Sequence, residues 1–244
     1  MIEVRNLSKH YKAVRAVNQV CFDAADGRIT ALLGPNGAGK STTLRILATV
    51  IEPMDGSAKI GGFDASTEPL QVRKAIGVLP HNSGLYARLT GIENVRYFGR
   101  LQGMDKTEVE ERIEVLLGQL EMRDFAARRT AGFSQGQKIK VALARALIHN
   151  PQHVILDEPT NGLDVMATRA LREIILGLKR EGKCVLFSSH IMQEVEALCD
   201  DVIIIGKGEV KFSGTLDELR ANAGTTDLED AFVRLAGVEE EAGA

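Results

Sequence analysis

Gly34-Pro35-Asn36-Gly37-Ala38-Gly39-Lys40-Ser41 is the segment that leaves this chain the least freedom. It fits the spacing G-x-x-x-x-G-K-[ST], follows the apolar run Ile29-Thr30-Ala31-Leu32-Leu33, and precedes a helix-period run from Thr42 to Val50. A glycine-rich turn between a strand and a helix lets backbone N–H groups close around phosphate oxygens, with the positive helix N-terminus behind them. In such a loop Lys40 reaches the β- and γ-phosphates, and the Ser41 hydroxyl is placed to ligate Mg2+. The spacing is not G-x-G-x-x-G, so a dinucleotide site is the weaker reading.

A phosphate loop of this kind sits on a parallel sheet, and the rest of the chain supplies one. Val154-Ile155-Leu156 and Val185-Leu186-Phe187 read as further buried strands, and 201–213 reads as a hairpin around Gly206-Lys207-Gly208. The first 25 or so residues alternate like antiparallel strands packed on one edge of that sheet. From Gly91 to about Asn150 the pattern turns helical, with Val109, Ile113, Leu116, Leu117 and Leu120 on one face, which suggests a helical insertion. An amphipathic stretch at 228–235 precedes Glu239-Glu240-Glu241, an acidic end expected to be disordered.

The second half of the chemistry lies at the end of Val154-Ile155-Leu156-Asp157-Glu158. The strand delivers Asp157 to the sheet edge, where it can orient Mg2+ through water, and Glu158 can act on the attacking water as general base. Adjacent carboxylates at a strand end are as often solvated turn residues; the phosphate loop shifts the balance to function. Thirty Lys+Arg against 33 Asp+Glu gives a net charge of −3, so no broad basic surface for nucleic acid is expected. No run approaches the ~18 apolar residues of a membrane span. Cys21, Cys184 and Cys199 lack paired spacing and suit a reducing, cytosolic compartment. His149 and His153 are four apart, but Asn150-Pro151 breaks any helix between them, and both read as surface residues.

These motifs, joined by Phe133-Ser134-Gln135-Gly136-Gln137, Asn161-Gly162-Leu163-Asp164 and His190, resemble in type and order the ATP-binding cassette (ABC) ATPases. The resemblance implies an α/β P-loop cassette: a mostly parallel sheet with an N-terminal antiparallel β-subdomain and an inserted α-helical subdomain. It implies one nucleotide-binding domain over residues 1–220, with the helical part at about 85–150, and a helical tail at 221–244. ATP and Mg2+ are the implied ligands, held by Gly34, Pro35, Asn36, Gly37, Ala38, Gly39, Lys40, Ser41 and Thr42, with Tyr11 stacking on adenine and Asp157 assisting the metal. Lys40, Glu158 and His190 are the implied catalytic set, His190 reaching the γ-phosphate. Ser134, Gln135, Gly136 and Gln137 are implied to close the site of a second copy in trans, with Asp164 coupling the two sites. The physical reading agrees: Ile139, Ala142, Leu143, Ala146 and Leu147 share a helix face, which puts Ser134–Gln137 at a helix N-terminus that favours an anion.

A GTPase or nucleotide kinase would lack the Ser134 helix and the late histidine. A non-transport ABC protein would carry two cassettes or a long insertion between Lys40 and Ser134. The resemblance therefore implies the peripheral motor on the cytoplasmic face of the cell membrane, soluble when isolated, working on a membrane subunit made as a separate chain. The stretches 132–151 and 186–195 are similar to the bacterial sodium-efflux (NatA-type) subgroup, with a drug, lipid or polysaccharide exporter as the alternative. Gln135 stands where the family has a glycine. His81, after Ile76–Pro80, stands where the family carries a glutamine that contacts Mg2+ and water. His81→Gln is expected to change the ATPase rate or its coupling to transport; an unchanged rate and pH profile in the variant would remove a special role for the imidazole.

Overall fold

Alternation along four strands explains the whole arrangement. In the computed structural model, which describes residues 1–82 and 84–236, the chain opens with β1 (Ile2–Tyr11) and β2 (Val14–Ala24), paired antiparallel. Next come β3 (Ile29–Leu33), α1 (Lys40–Leu47), β4 (Asp55–Ile60), β5 (Phe63–Asp64), α2 (Pro69–Ala75) and β6 (Ile76–Leu79). Three helices follow: α3 (Gly91–Leu101), α4 (Lys106–Gln119) and α5 (Gln135–Leu147). The chain then alternates through β7 (His153–Asp157), α6 (Val165–Arg180), β8 (Cys184–Ser189), α7 (Met192–Leu198) and β9 (Asp201–Gly206). It finishes with β10 (Glu209–Thr215), α8 (Leu216–Ala223) and α9 (Leu228–Ala236).

Among the described residues the larger sheet has the order β10-β9-β3-β8-β7-β6, parallel from β9 to β6 and antiparallel only at the β9–β10 hairpin. That hairpin turns on Lys207 and Gly208, both with positive φ, the backbone that matches the twist of two-residue hairpins. The smaller sheet runs β2-β1-β4-β5. Its second half, β4 and β5, comes from a stretch with weak alternation that the sequence did not mark as strand.

Side chains on successive strand positions point to opposite faces. Ala31, Leu33, Val154, Leu156, Val185, Phe187, Val202 and Ile204 therefore enter one core with α3 to α6. Leu32, Ile155, Leu186, Ile203 and Ile205 enter another with α1 and the small sheet's Ile2, Val4, Leu7, Val20 and Phe22. The N-terminal strands thus cover a face of the large sheet rather than its edge, because a sheet buried on one side only would leave half of these aliphatics in water.

The insertion helices are capped in sequence-readable ways. Thr90 and Glu93 form a reciprocal capping box at α3, Asp105 accepts the Glu108 N–H at α4, and Ser134 with Gln137 repeats the box at α5. The expected division at 220/221 falls inside α8, and Leu219, Leu228, Ala231 and Ala236 pack into the same core as the large sheet. The acidic run Glu239-Glu240-Glu241 lies outside the described residues. No helix among the described residues is long and apolar enough to cross a membrane.

Candidate functional site at the carboxyl edge of the sheet

The fully buried strand β3 ends at Leu33, and the chain turns through Gly34–Gly39 into α1. Two glycines make the turn possible. A Cβ on Gly34 would lie 2.3 Å from the Ile205 carbonyl oxygen, and one on Gly39, at φ 109°, would lie 2.3 Å from the Ala16 carbonyl oxygen. The loop is therefore held between β9 and β2, with no room for side chains at either anchor. Lys40, 5% exposed, donates from Nζ to the Gly34 oxygen at 2.6 Å and the Pro35 oxygen at 3.1 Å. Burial pushes its pKa down, and the Glu158 and Asp157 carboxylates pull in the opposite direction without fully offsetting it. A cavity of about 300 Å³ opens here, lined by Ala16, residues 36–42 and Glu158.

Parallel pairing brings the ends of β7 and β8 beside that cavity. Asp157, 9% exposed, faces Ser188 in register. The Ser188 hydroxyl donates to Asp157 Oδ1 at 2.8 Å and accepts the Glu158 N–H at 2.9 Å. Glu158 has φ 50°, a left-handed conformation that costs a non-glycine residue about 1–2 kcal/mol. Its carboxylate lies between two imidazoles, with His81 Nδ1 at 3.7 Å from Oε2 and His190 Nδ1 at 3.5 Å from Oε1. The Ser189 hydroxyl accepts the Ile191 N–H at 3.0 Å and shapes the turn that carries His190.

The residues read from the sequence thus separate into two groups. The phosphate loop, Asp157, Glu158, His81 and His190 gather at one sheet edge. Ser134–Gln137 do not line the cavity: Ser134 caps α5, and Gly136 packs against Ala167 of α6, where a Cβ would lie 3.2 Å from that methyl. Asp164 caps α6 by accepting the Ala167 N–H at 2.8 Å, so the Ser134 and Asp164 segments are neighbours. Tyr11, 45% exposed, ends β1 beside the hairpin turn and does not line the cavity either. His149 and His153, expected at the surface, are drawn inward. His153 is 3% exposed with Nδ1 at 3.2 Å from the Ala75 oxygen, and His149 Nε2 lies 2.9 Å from the Ile76 oxygen. Burial lowers the pKa of both. Ala16, whose carbonyl abuts Gly39, and Thr160 and Glu194 carry no motif or periodicity that marks them in the sequence.

The donor set fits a hard divalent cation. Ser41 offers a hydroxyl and Asp157 a carboxylate, and no group of three or more His, Cys, Asp or Glu among the described residues is arranged to bind a metal by itself. Mg2+ is commonly held by one or two such protein oxygens with phosphates and water completing the shell.

A phosphate cradle at the carboxyl edge of a parallel sheet, beside a strand-end carboxylate pair, defines a P-loop nucleotide hydrolase. The family model for ABC transporters matches residues 17–161. The ABC transporter ATP-binding protein NatA of Bacillus subtilis is 46% identical over 238 residues, covering 96% of this chain and 97% of that protein. The doxorubicin resistance ATP-binding protein DrrA of Mycobacterium tuberculosis is 36% identical over 88% of this chain and 65% of its own length. A solved dimeric structure of the ATP-binding cassette MJ0796, in a post-hydrolysis state bound to ADP and Pi, superposes with a TM-score of 0.80 at 27% identity, covering 88% of this chain and 99% of that one. The chain belongs to the ABC transporter family, as the ATP-binding and ATP-hydrolysing subunit of an exporter.

Gly39→Ala, which places a methyl against the Ala16 carbonyl at a φ that alanine avoids, is expected to weaken ATP binding about tenfold or more. Equilibrium titration with a fluorescent ATP analogue, with circular dichroism to establish folding, reads this; unchanged affinity would show that the loop has slack.

Proposed function

We propose that this chain drives sodium export by hydrolysing Mg2+-ATP between two copies of itself, on the cytoplasmic face of a membrane subunit carried by a separate chain. The observation that carries the hydrolytic part is the Glu158 carboxylate, set at the mouth of the Lys40 loop with His81 and His190 on its two oxygens. In this reading residues 34–42 wrap the triphosphate, Lys40 leaves its two loop carbonyls for the β- and γ-phosphates, and Tyr11 packs on the adenine. Ser41 and Asp157 hold Mg2+, which when bound neutralises phosphate charge. Glu158 accepts a proton from the attacking water, and His190 steadies the γ-phosphate. His81 shares the metal and water side of the site.

The second copy enters because the anion-favouring end of α5 lies away from the cavity of its own chain. Ser134, Gln135, Gly136 and Gln137 meet the nucleotide of the partner, and Asp164 links the two sites. Val165 and Met166, both about 70% exposed beside Asp164, give that contact an apolar element. On α3, Tyr97 and Leu101 are exposed, and Tyr97 packs edge-on to Tyr86 at 5.5 Å, a surface suited to a membrane subunit. Sodium as cargo rests on the likeness of residues 132–151 and 186–195 to the sodium-efflux subgroup, together with the NatA identity. The DrrA identity supports a drug as the second reading.

Reconstitution with the membrane subunit in vesicles tests both halves. Na+ should raise the ATPase rate of the parent, and Glu158→Gln should keep ATP binding while losing about 10²-fold or more in turnover. Parental turnover in Glu158→Gln would refute the base assignment, and stimulation by doxorubicin without any effect of Na+ would replace sodium as cargo.

A further inference from the structure

Glu194 is a carboxylate with only 3% of its residue exposed, on α7, in a part of the site to which the hydrolytic reading gives no role. Its Oε2 accepts the hydroxyl proton of Thr160, itself 6% exposed, at 2.5 Å. Burying a carboxylate is costly unless donors meet it, so this contact is a constraint on both segments. Its location gives the constraint a purpose. Thr160 lies two residues after Glu158, and Glu194 lies four residues after His190.

The two catalytic segments are already tied once, upstream, where Ser188 bonds Asp157 and the Glu158 N–H. Glu158 and His190 sit between that clamp and the Thr160–Glu194 clamp, facing each other at 3.5 Å. The turn after Glu158 needs the second clamp. Glu158 holds φ 50°, and Pro159 has no N–H with which to anchor the backbone. The Glu158 carbonyl accepts the Asn161 N–H at 3.2 Å, which closes the turn on itself without fixing it to β8 or α7. The Thr160 side chain supplies that attachment.

We propose that Glu194 is a positioning residue for ATP hydrolysis: through the Thr160 hydroxyl it locks the Glu158 turn to the His190 segment. The proposal rests on the reading of Glu158 as base. A catalytic group displaced by about 1 Å can lose 10²-fold in rate while substrate binding elsewhere is untouched. Loss of the clamp therefore lowers kcat and leaves the affinity of the Lys40 loop for ATP in place.

The test compares Thr160→Val, Thr160→Ser, Glu194→Leu, the double Thr160→Val/Glu194→Leu and Glu158→Gln, each measured for kcat, for equilibrium ATP affinity and for Tm. Thr160→Val and Glu194→Leu are each expected to lower kcat about 10- to 100-fold with ATP affinity within about twofold of the parent. The double variant is expected to fall no further than the worse single, and Thr160→Ser, which keeps the hydroxyl, to restore most of the rate. If Glu194→Leu does not fold, Thr160→Val against Thr160→Ser carries the same comparison. The proposal is overturned if Glu158→Gln is inactive while Thr160→Val turns over at the parental rate, or if Thr160→Ser loses as much as Thr160→Val. It is also overturned if ATP affinity falls in step with kcat. Parental activity in Glu158→Gln would instead remove the base assignment, and this proposal with it.

Discussion

One serine hydroxyl holds the acidic pair beside the phosphate loop in place. Ser188 sits at the end of β8, in parallel register with Asp157 at the end of β7, and its oxygen donates to the Asp157 carboxylate while accepting the Glu158 N–H. A side chain that bonds both a carboxylate and the next backbone amide leaves neither free to rotate. It also stabilises Glu158 in a left-handed conformation, and that conformation turns the carboxylate between His81 and His190. Strain of this sort persists where the surroundings over-determine it, and a hydrolytic centre is where such strain is useful.

The sheet makes the Ser188 arrangement possible. β3, β8 and β7 are adjacent and parallel, so the phosphate loop, the His190 segment and the acidic pair emerge from one edge. Buried aliphatics on both faces keep the strands in register, and the loop is wedged between the Ile205 and Ala16 carbonyls. The α5 N-terminus belongs to another part of the molecule. It is tied to α6 through the Gly136–Ala167 contact, so it follows Asp164 and not Lys40. The cradle rich in N–H donors and the anion-favouring helix end lie on one chain but not in one cavity, and the proposed pairing of two copies around the nucleotide would bring them together.

Most of this site is legible in the sequence because its parts are contiguous. Residues 34–41 carry their own geometry, the runs ending at Leu33, Leu156 and Phe187 are short and mostly apolar, and the shared face of Ile139, Ala142, Leu143, Ala146 and Leu147 marks Ser134–Gln137 as the start of a helix. What periodicity misses is polar and buried. Glu194 and His153 carry side chains that sequence rules send to the surface, and only tertiary partners, Thr160 for one and the Ala75 carbonyl for the other, permit their burial. β4 escapes because Asp55-Gly56-Ser57-Ala58 has little strand character, and pairing with β1 supplies what local preference lacks. The covering of a sheet face by the N-terminal strands could not be told from edge packing, since both bury the same alternate residues.

A hydrolytic site shared by two copies, as proposed, ties association of the chains to nucleotide. Light scattering on the Glu158→Gln protein, with and without Mg2+-ATP, reads this dependence. One chain mass is expected without nucleotide, twice that mass with it, and a return to one chain mass when Ser134→Arg is added to the same protein. A mass that does not change with ATP, or a doubling that survives Ser134→Arg, would contradict the shared site.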